Sequence, residues 1–173
     1  MNLNKVLDYI FPKFCDHCSK KLSLKEKHFC ISCLEQVSFC DIENDKVIYL
    51  FENIGAINTF LKLAKNFNYL NFSKIISSYI VVKLNKINFL NFDRIIIEDY
   101  KFFKKDYVHF IAKDLSKMIN IKFQKEAEKN DRVLLISEKM DLDKYEKIKN
   151  NYKNLVVLSL IFDVSFNDFN LSG

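Results

Sequence analysis

The chain has 173 residues, 49% of them apolar, and a formal net charge of +5. That composition excludes a disordered chain and is enough for one ordinary domain with a real core plus a small appendage. Apolar runs such as Ile75–Val82 and Leu155–Phe162 are too short to span a bilayer, and the mild positive charge is carried by lysines spread along the whole chain, with arginine only at Arg94 and Arg132.

Asn2–Ile10 reads as a short amphipathic helix, with Leu3, Val6, Leu7 and Ile10 on one side and Pro12 ending it. Asp8 and Pro12 interrupt the apolar stretch and no small-residue cleavage site follows, so a signal peptide is not expected. Two CxxC pairs come next, Cys15/Cys18 and Cys30/Cys33, with eleven residues between them. Each pair can form a tight knuckle that points two sulfurs at one ion, and the intervening loop brings the second knuckle opposite the first. That pattern points to a structural, tetrahedral Zn²⁺. A redox dithiol, an iron–sulfur site and plain buried cysteines are the competing readings. Cys40 falls outside the spacing and reads as a small buried residue or an idle thiol. His17 and His28 could replace a cysteine, but with four cysteines present they read as loop residues or as outer donors. Thiols kept for metal fit a reducing, cytoplasmic setting.

Cys33–Val37 is expected to form a helical turn, and the acidic stretch Asp41–Asp45 a linker. The expected division is therefore a zinc module over residues 1–42 and a second domain over residues 46–173. Val47–Phe51 reads as a strand. Ile54, Ile57, Leu61 and Ala64 mark one helix, and Phe72, Ile76, Tyr79, Ile80 and Leu84 a second. The three isoleucines within Arg94–Glu98 have the continuous apolar character of a strand buried on both faces. Val108, Ile111, Leu115 and Met118 mark a third helix. Arg132–Ser137 is a second buried strand, Leu142, Tyr145, Ile148 and Tyr152 a fourth helix, and Leu155–Phe162 a third buried strand. Asp163–Gly173 reads as irregular or as an added edge strand. Strands alternating with helices predict an α/β fold with a parallel sheet.

A helix ending in Phe-Pro, then CxxC…CxxC, then a β/α domain resembles the competence-associated ComF family. The match is closest over Val6–Leu34 (VLDYIFPKFCDHCSKKLSLKEKHFCISCL). Gly55–Phe67, with Lys65, is similar to a family segment ending in a lysine–aromatic pair. Arg94–Glu98, Ile111–Lys113 and Val133–Ile136 are similar to three further family segments. The resemblance implies an N-terminal zinc ribbon with Cys15, Cys18, Cys30 and Cys33 as metal ligands, and a phosphoribosyltransferase-like domain.

The catalytic parts of that family depart here. Phe103–Tyr107 reads FKKDY where an Arg-Gly-Phe-Asn-Gln segment is expected, and only Gln124–Asp131 remains of a further polar stretch. The loop for phosphoribosyl pyrophosphate (PRPP) would follow Ile136. It is reduced to Ser137, Glu138, Lys139, Met140, Asp141, Leu142 and Asp143. Of these, Ser137, Glu138, Asp141 and Asp143 mark its vestigial position. One acid survives as Glu138, but two carboxylates stand where amides would cradle the 5′-phosphate. At ~5 Å and an effective dielectric of ~20, each unit charge pair repels by roughly 3 kcal/mol. The only glycines are Gly55 and Gly173, so no glycine-rich phosphate loop exists.

The resemblance therefore implies a shortened, degenerate ComF-like protein without transferase catalysis. Its role would be binding, to proteins of the DNA-uptake machinery or to nucleic acid. An active transferase with an altered PRPP loop and an interaction scaffold unrelated to competence are the alternatives. Outside that pattern, His109 reads as a partly buried or surface histidine, and Glu98-Asp99 as a charged strand end where α/β proteins often place function. Glu126–Asp131 reads as a solvated loop. Tyr100–Lys105 (YKFFKK) could stack on bases while its lysines meet phosphates.

Overall fold

The computed structural model describes residues 12–23, 25–40, 43–44, 47–67, 70–88, 91–98 and 106–162. The expected helix Asn2–Ile10, the YKFFKK window, Asp99 and the tail Asp163–Gly173 lie outside them. The described elements are α1 (Ile31–Glu35), β1 (Glu43–Asn44), β2 (Val47–Phe51), α2 (Ala56–Phe67), α3 (Leu70–Lys86), β3 (Arg94–Ile97), α4 (Tyr107–Ile119), β4 (Lys122–Phe123), β5 (Arg132–Lys139), α5 (Leu142–Lys149) and β6 (Asn154–Ile161). The protein is α/β. Its sheet has the order β1-β2-β6-β5-β3-β4, and the five strands from β2 to β4 are all parallel. Only the two-residue β1, inside the stretch expected as a linker, runs antiparallel to its neighbour.

Side chains along each strand alternate between two apolar layers, as the two-residue period of a strand requires. Ile48, Leu50, Ile95, Ile97, Leu134, Ile136, Val156 and Leu158 face the layer that holds α2, α3 and α4. Val47, Tyr49, Ile96, Val133, Leu135, Leu155 and Val157 face the other layer, which α5 covers with Tyr145. Burial on both faces is why these strands read as unbroken apolar runs. The thick layer continues into the cysteine module through Cys15, Leu22, Phe29, Cys30 and Cys33.

The helix ends are fixed locally. Asp106 accepts a hydrogen bond from the His109 amide (3.0 Å) to cap α4, and Asn120 ends that helix in the left-handed region at φ 55°. Ser77 Oγ donates to Ile111 O (3.0 Å), joining α3 to α4 inside the core. α1 starts two residues earlier than the expected turn at Cys33–Val37, with Cys30 in extended backbone at its N-cap position and the Cys30 carbonyl accepting from the Cys33 and Leu34 amides. Three residues expected on buried helix faces are exposed. Ile54 precedes α2, held outside it by Gly55 at φ 62°. Tyr79 flanks the inner stripe of α3 and packs edge-on against Phe39 and Phe51, and Met118 lies in the last turn of α4. Tyr152 lies beyond the end of α5 and is partly buried. Among the described residues no helix is long and apolar enough to cross a membrane.

The topology reverses direction between β3 and β5. From β3 the chain leaves through α4 to the outer strand β4. From β5 it leaves through α5, on the opposite face, to β6 on the other side. The connections leaving the carboxyl ends of β3 and β5 therefore diverge to opposite faces of the sheet, and that is where open α/β sheets offer a crevice.

Candidate metal centre and strand-end crevice

The four cysteines of the two CxxC pairs converge. The Sγ atoms of Cys15, Cys18, Cys30 and Cys33 all lie within 4.8 Å of one another, and Cys18 and Cys30 are 3.7 Å apart. Four thiolates at ~2.3 Å from a tetrahedral ion stand about 3.8 Å apart, so the cluster has the dimensions of a metal site. None of the four is in a disulfide.

Short-range backbone bonds shape the knuckles. Cys15 O accepts from the Ser19 amide (2.9 Å), with Ser19 itself at φ 60°, and Phe14 bridges antiparallel to Lys21. In the second knuckle Cys30 O accepts from the amides of Cys33 (3.0 Å) and Leu34 (3.1 Å). Glu26 closes the loop between the knuckles, its carboxylate accepting from the amides of Ser23 (2.6 Å) and Ile31 (2.7 Å). Those bonds, the Ser23 amide foremost, hold the Glu26 carboxyl below the usual carboxylate range.

Burial opposes ionisation of Cys15, yet the amides of Cys18, Cys30 and His17 bring its thiol down to about 6. Burial, followed by the neighbouring thiols, pushes Cys33 up. Without a cation Cys33 thus resists ionisation beside Cys15, whereas a divalent ion would favour thiolates at the site. The histidines sit apart from the sulfurs. His17 Nδ1 pairs with Thr59 Oγ1 on α2 (2.9 Å), and His28 Nδ1 with Asp16 Oδ2 (3.3 Å). Cys40 is fully buried on the opposite face of the sheet, and its carbonyl accepts from the buried Lys83 Nζ at 2.9 Å.

The crevice between β3 and β5 has a volume of about 170 Å³ and is lined by Glu98, Asp106, Ser137, Glu138, Lys139 and Lys144 together with Ile97, Val108 and Ile136. Its charges are already engaged. Glu98 accepts from Ser137 Oγ (2.6 Å) and pairs with Lys144 Nζ (3.1 Å), and Lys65 Nζ reaches Glu138 at 3.1 Å. Burial, and then the nearby Glu138 carboxylate, push the Tyr107 phenol up.

The residues after Ile136 do not loop out. β5 continues to Lys139, which pairs with Ile161 of β6. The connection to α5 is only Met140 and Asp141. The Met140 amide donates to Ser159 Oγ (3.1 Å), and Asp141 caps α5 by accepting from the Lys144 amide (2.9 Å). Asp143 follows in the first turn. A carboxylate therefore stands at a helix N-terminus, where free amides and the helix dipole would otherwise attract an anion. Ser137, Glu138 and Glu98 meet around one crevice. The Ser137–Glu98 bond had no sequence signal, since it joins residues on separate strands. His109 is buried and packs edge-on against Phe123 of β4, away from the crevice lining.

No protein-family model matches the chain, and no significant match is found among curated proteins or solved structures.

Proposed function

We propose that the chain is a ComF-like protein in which the four cysteines hold a structural zinc ion and a reduced phosphoribosyltransferase-like domain serves binding rather than catalysis. With four thiolates the ion is coordinatively closed, so zinc contributes folding energy and offers no position for substrate or water. The bound partner belongs to the DNA-uptake machinery or is nucleic acid.

The observation that carries the loss of catalysis is Asp141. Its carboxylate takes the α5 amide that a phosphate would need, and Met140's amide is spent on Ser159. The surrounding lysines support the same reading, because Lys65 and Lys144 are paired with Glu138 and Glu98. Calorimetric titration with PRPP and Mg²⁺ tests it. No binding is expected, and clear micromolar binding would instead establish a transferase with an altered loop. Single-stranded DNA binding measured across salt concentrations tests the partner. Affinity should fall steeply as salt rises. Absence of binding at every salt concentration would remove nucleic acid as the partner and leave a protein-interaction role. Elemental analysis of the purified protein is expected to give one zinc per chain.

A further inference from the structure

The four sulfurs of the cysteine cluster are not equivalent. Cys15, Cys30 and Cys33 are buried at 2–3% exposure, whereas Cys18 is exposed. Cys15 is further enclosed by the Cys30 amide, which donates to its sulfur at 3.4 Å. Cys18 belongs to the first knuckle and Cys30 to the second, and their Sγ atoms are 3.7 Å apart. A reagent arriving from solvent therefore reaches the Cys18 sulfur first, with a second sulfur beside it.

The neighbours of Cys18 tie it to the rest of the fold. His17 bonds Thr59 of α2 (2.9 Å), and Asp16 pairs with His28 of the second knuckle (3.3 Å). A disulfide is ~2.05 Å long, so joining Cys18 to Cys30 draws the two sulfurs together by about 1.7 Å. The first knuckle shifts with that movement, and the His17–Thr59 bond lies on the segment that shifts.

We infer that Cys18 is an oxidation site for peroxides, at which a Cys18–Cys30 disulfide forms, the metal is released and the module loosens its hold on α2. The inference rests on the four-sulfur metal reading given above. In the first step the Cys18 thiolate attacks one peroxide oxygen. The O–O bond breaks, and the leaving hydroxide takes a proton from solvent to become water. The Cys30 thiolate then attacks the sulfenic sulfur on Cys18, forming the S–S bond and expelling a second hydroxide, which is likewise protonated to water. The two sulfurs lose two electrons, the peroxide gains them, and two ligands are withdrawn from the site.

The test treats the metal-loaded full chain with hydrogen peroxide, then alkylates it and maps its peptides by mass spectrometry without reduction. Lys20, Lys21, Lys25 and Lys27 let trypsin separate Cys18 from Cys30, so the bond appears as a linked pair of peptides. The expected result is that link, loss of the metal in step with it, and faster hydrogen exchange in α2. A thiol reductant with added Zn²⁺ should reverse all three. Cys18→His keeps a Cys3His donor set, which also holds structural zinc, and should lose metal to peroxide about tenfold more slowly. The mapping is read on the unaltered protein, so it decides the matter even if the variant binds no metal. The inference is overturned if the first disulfide forms within one knuckle, if Cys15 or Cys33 is oxidised ahead of Cys18, or if the linked protein keeps its metal. Elemental analysis before treatment separates the two readings. Absence of metal refutes the zinc reading and this inference with it, whereas a metal-loaded chain that peroxide leaves intact refutes this inference alone.

Discussion

Asp93 and Arg132 show how one pair of residues sets a measurable pH dependence. The Arg132 side chain, and then its backbone amide, hold the Asp93 carboxyl down to about 2. The folded-state value is below that of an unfolded aspartate, so the pair's contribution is present above about pH 4 and is lost as pH falls through about 2. Asp93→Asn should therefore lower the urea midpoint at pH 7, and the gap to the unaltered protein should close as both approach pH 2. A gap that stays constant would mean that Asp93 acts through packing. The cysteines make a second prediction at this scale. At the proposed zinc site, Cys15→Ser or Cys30→Ser should lower the bound metal measured by elemental analysis, because metal-binding free energy in such a module is folding free energy. Retention of one equivalent with full stability in both variants would refute the four-sulfur site. The cysteines were legible because their spacing is local. Lys83 was not: a buried lysine looks like any other lysine until its carbonyl partner on Cys40, over forty residues away, is brought beside it.

Among the elements, α5 depends most visibly on a single side chain. Asp141→Ala removes its cap and should cost about 1 kcal/mol, while Asp141→Asn should cost less because the amide oxygen still accepts. Denaturant unfolding of both variants decides it, and equal losses would show that charge rather than capping stabilises the helix. In the centre of the sheet, Ile95→Ala should cost about 2–5 kcal/mol, since Ile95 has no solvent exposure and its truncation leaves a cavity. The long elements were legible from apolar periodicity, and β3, β5 and β6 from unbroken apolar runs. β1 and β4 were not, because two residues are too few to establish a period. Tyr79 was read as part of the buried stripe, whereas it flanks that stripe and stays partly exposed, for a related reason. The spacing of apolar residues shows which ones share a stripe, but not where the core ends and a flanking aromatic begins.

At the scale of the molecule, the cysteine module and the α/β layer form one continuous core. Phe29 packs on Phe60 of α2 at 5.8 Å between ring centroids, His28 on Phe72 of α3 at 5.5 Å, and His17 bonds Thr59. Stripping the metal with a chelator should therefore speed hydrogen exchange in α2 while leaving β5 protected. Unchanged exchange in α2 would show that the module folds independently of the helices it touches. The fold class was readable from alternating strands and helices, but the strand order was not. Neighbours in this sheet are chosen by burial across the whole layer, and β2 and β6 carry no local sign that they belong together.

That pairing also bears on how the chain acquires its structure. β2 is the first parallel strand to be synthesised, and its parallel partner, β6, is the last. β6 also supplies the other edge of β5. Until β6 is available, β2 and β5 both present open apolar edges, and closing the sheet requires contact between the most distant of the described parallel strands. Such long-range parallel pairing slows folding and lengthens exposure to aggregation. Refolding should therefore be limited by the docking of β6, and a chain cut just before Asn154 should fail to form the sheet rather than lose one edge of it.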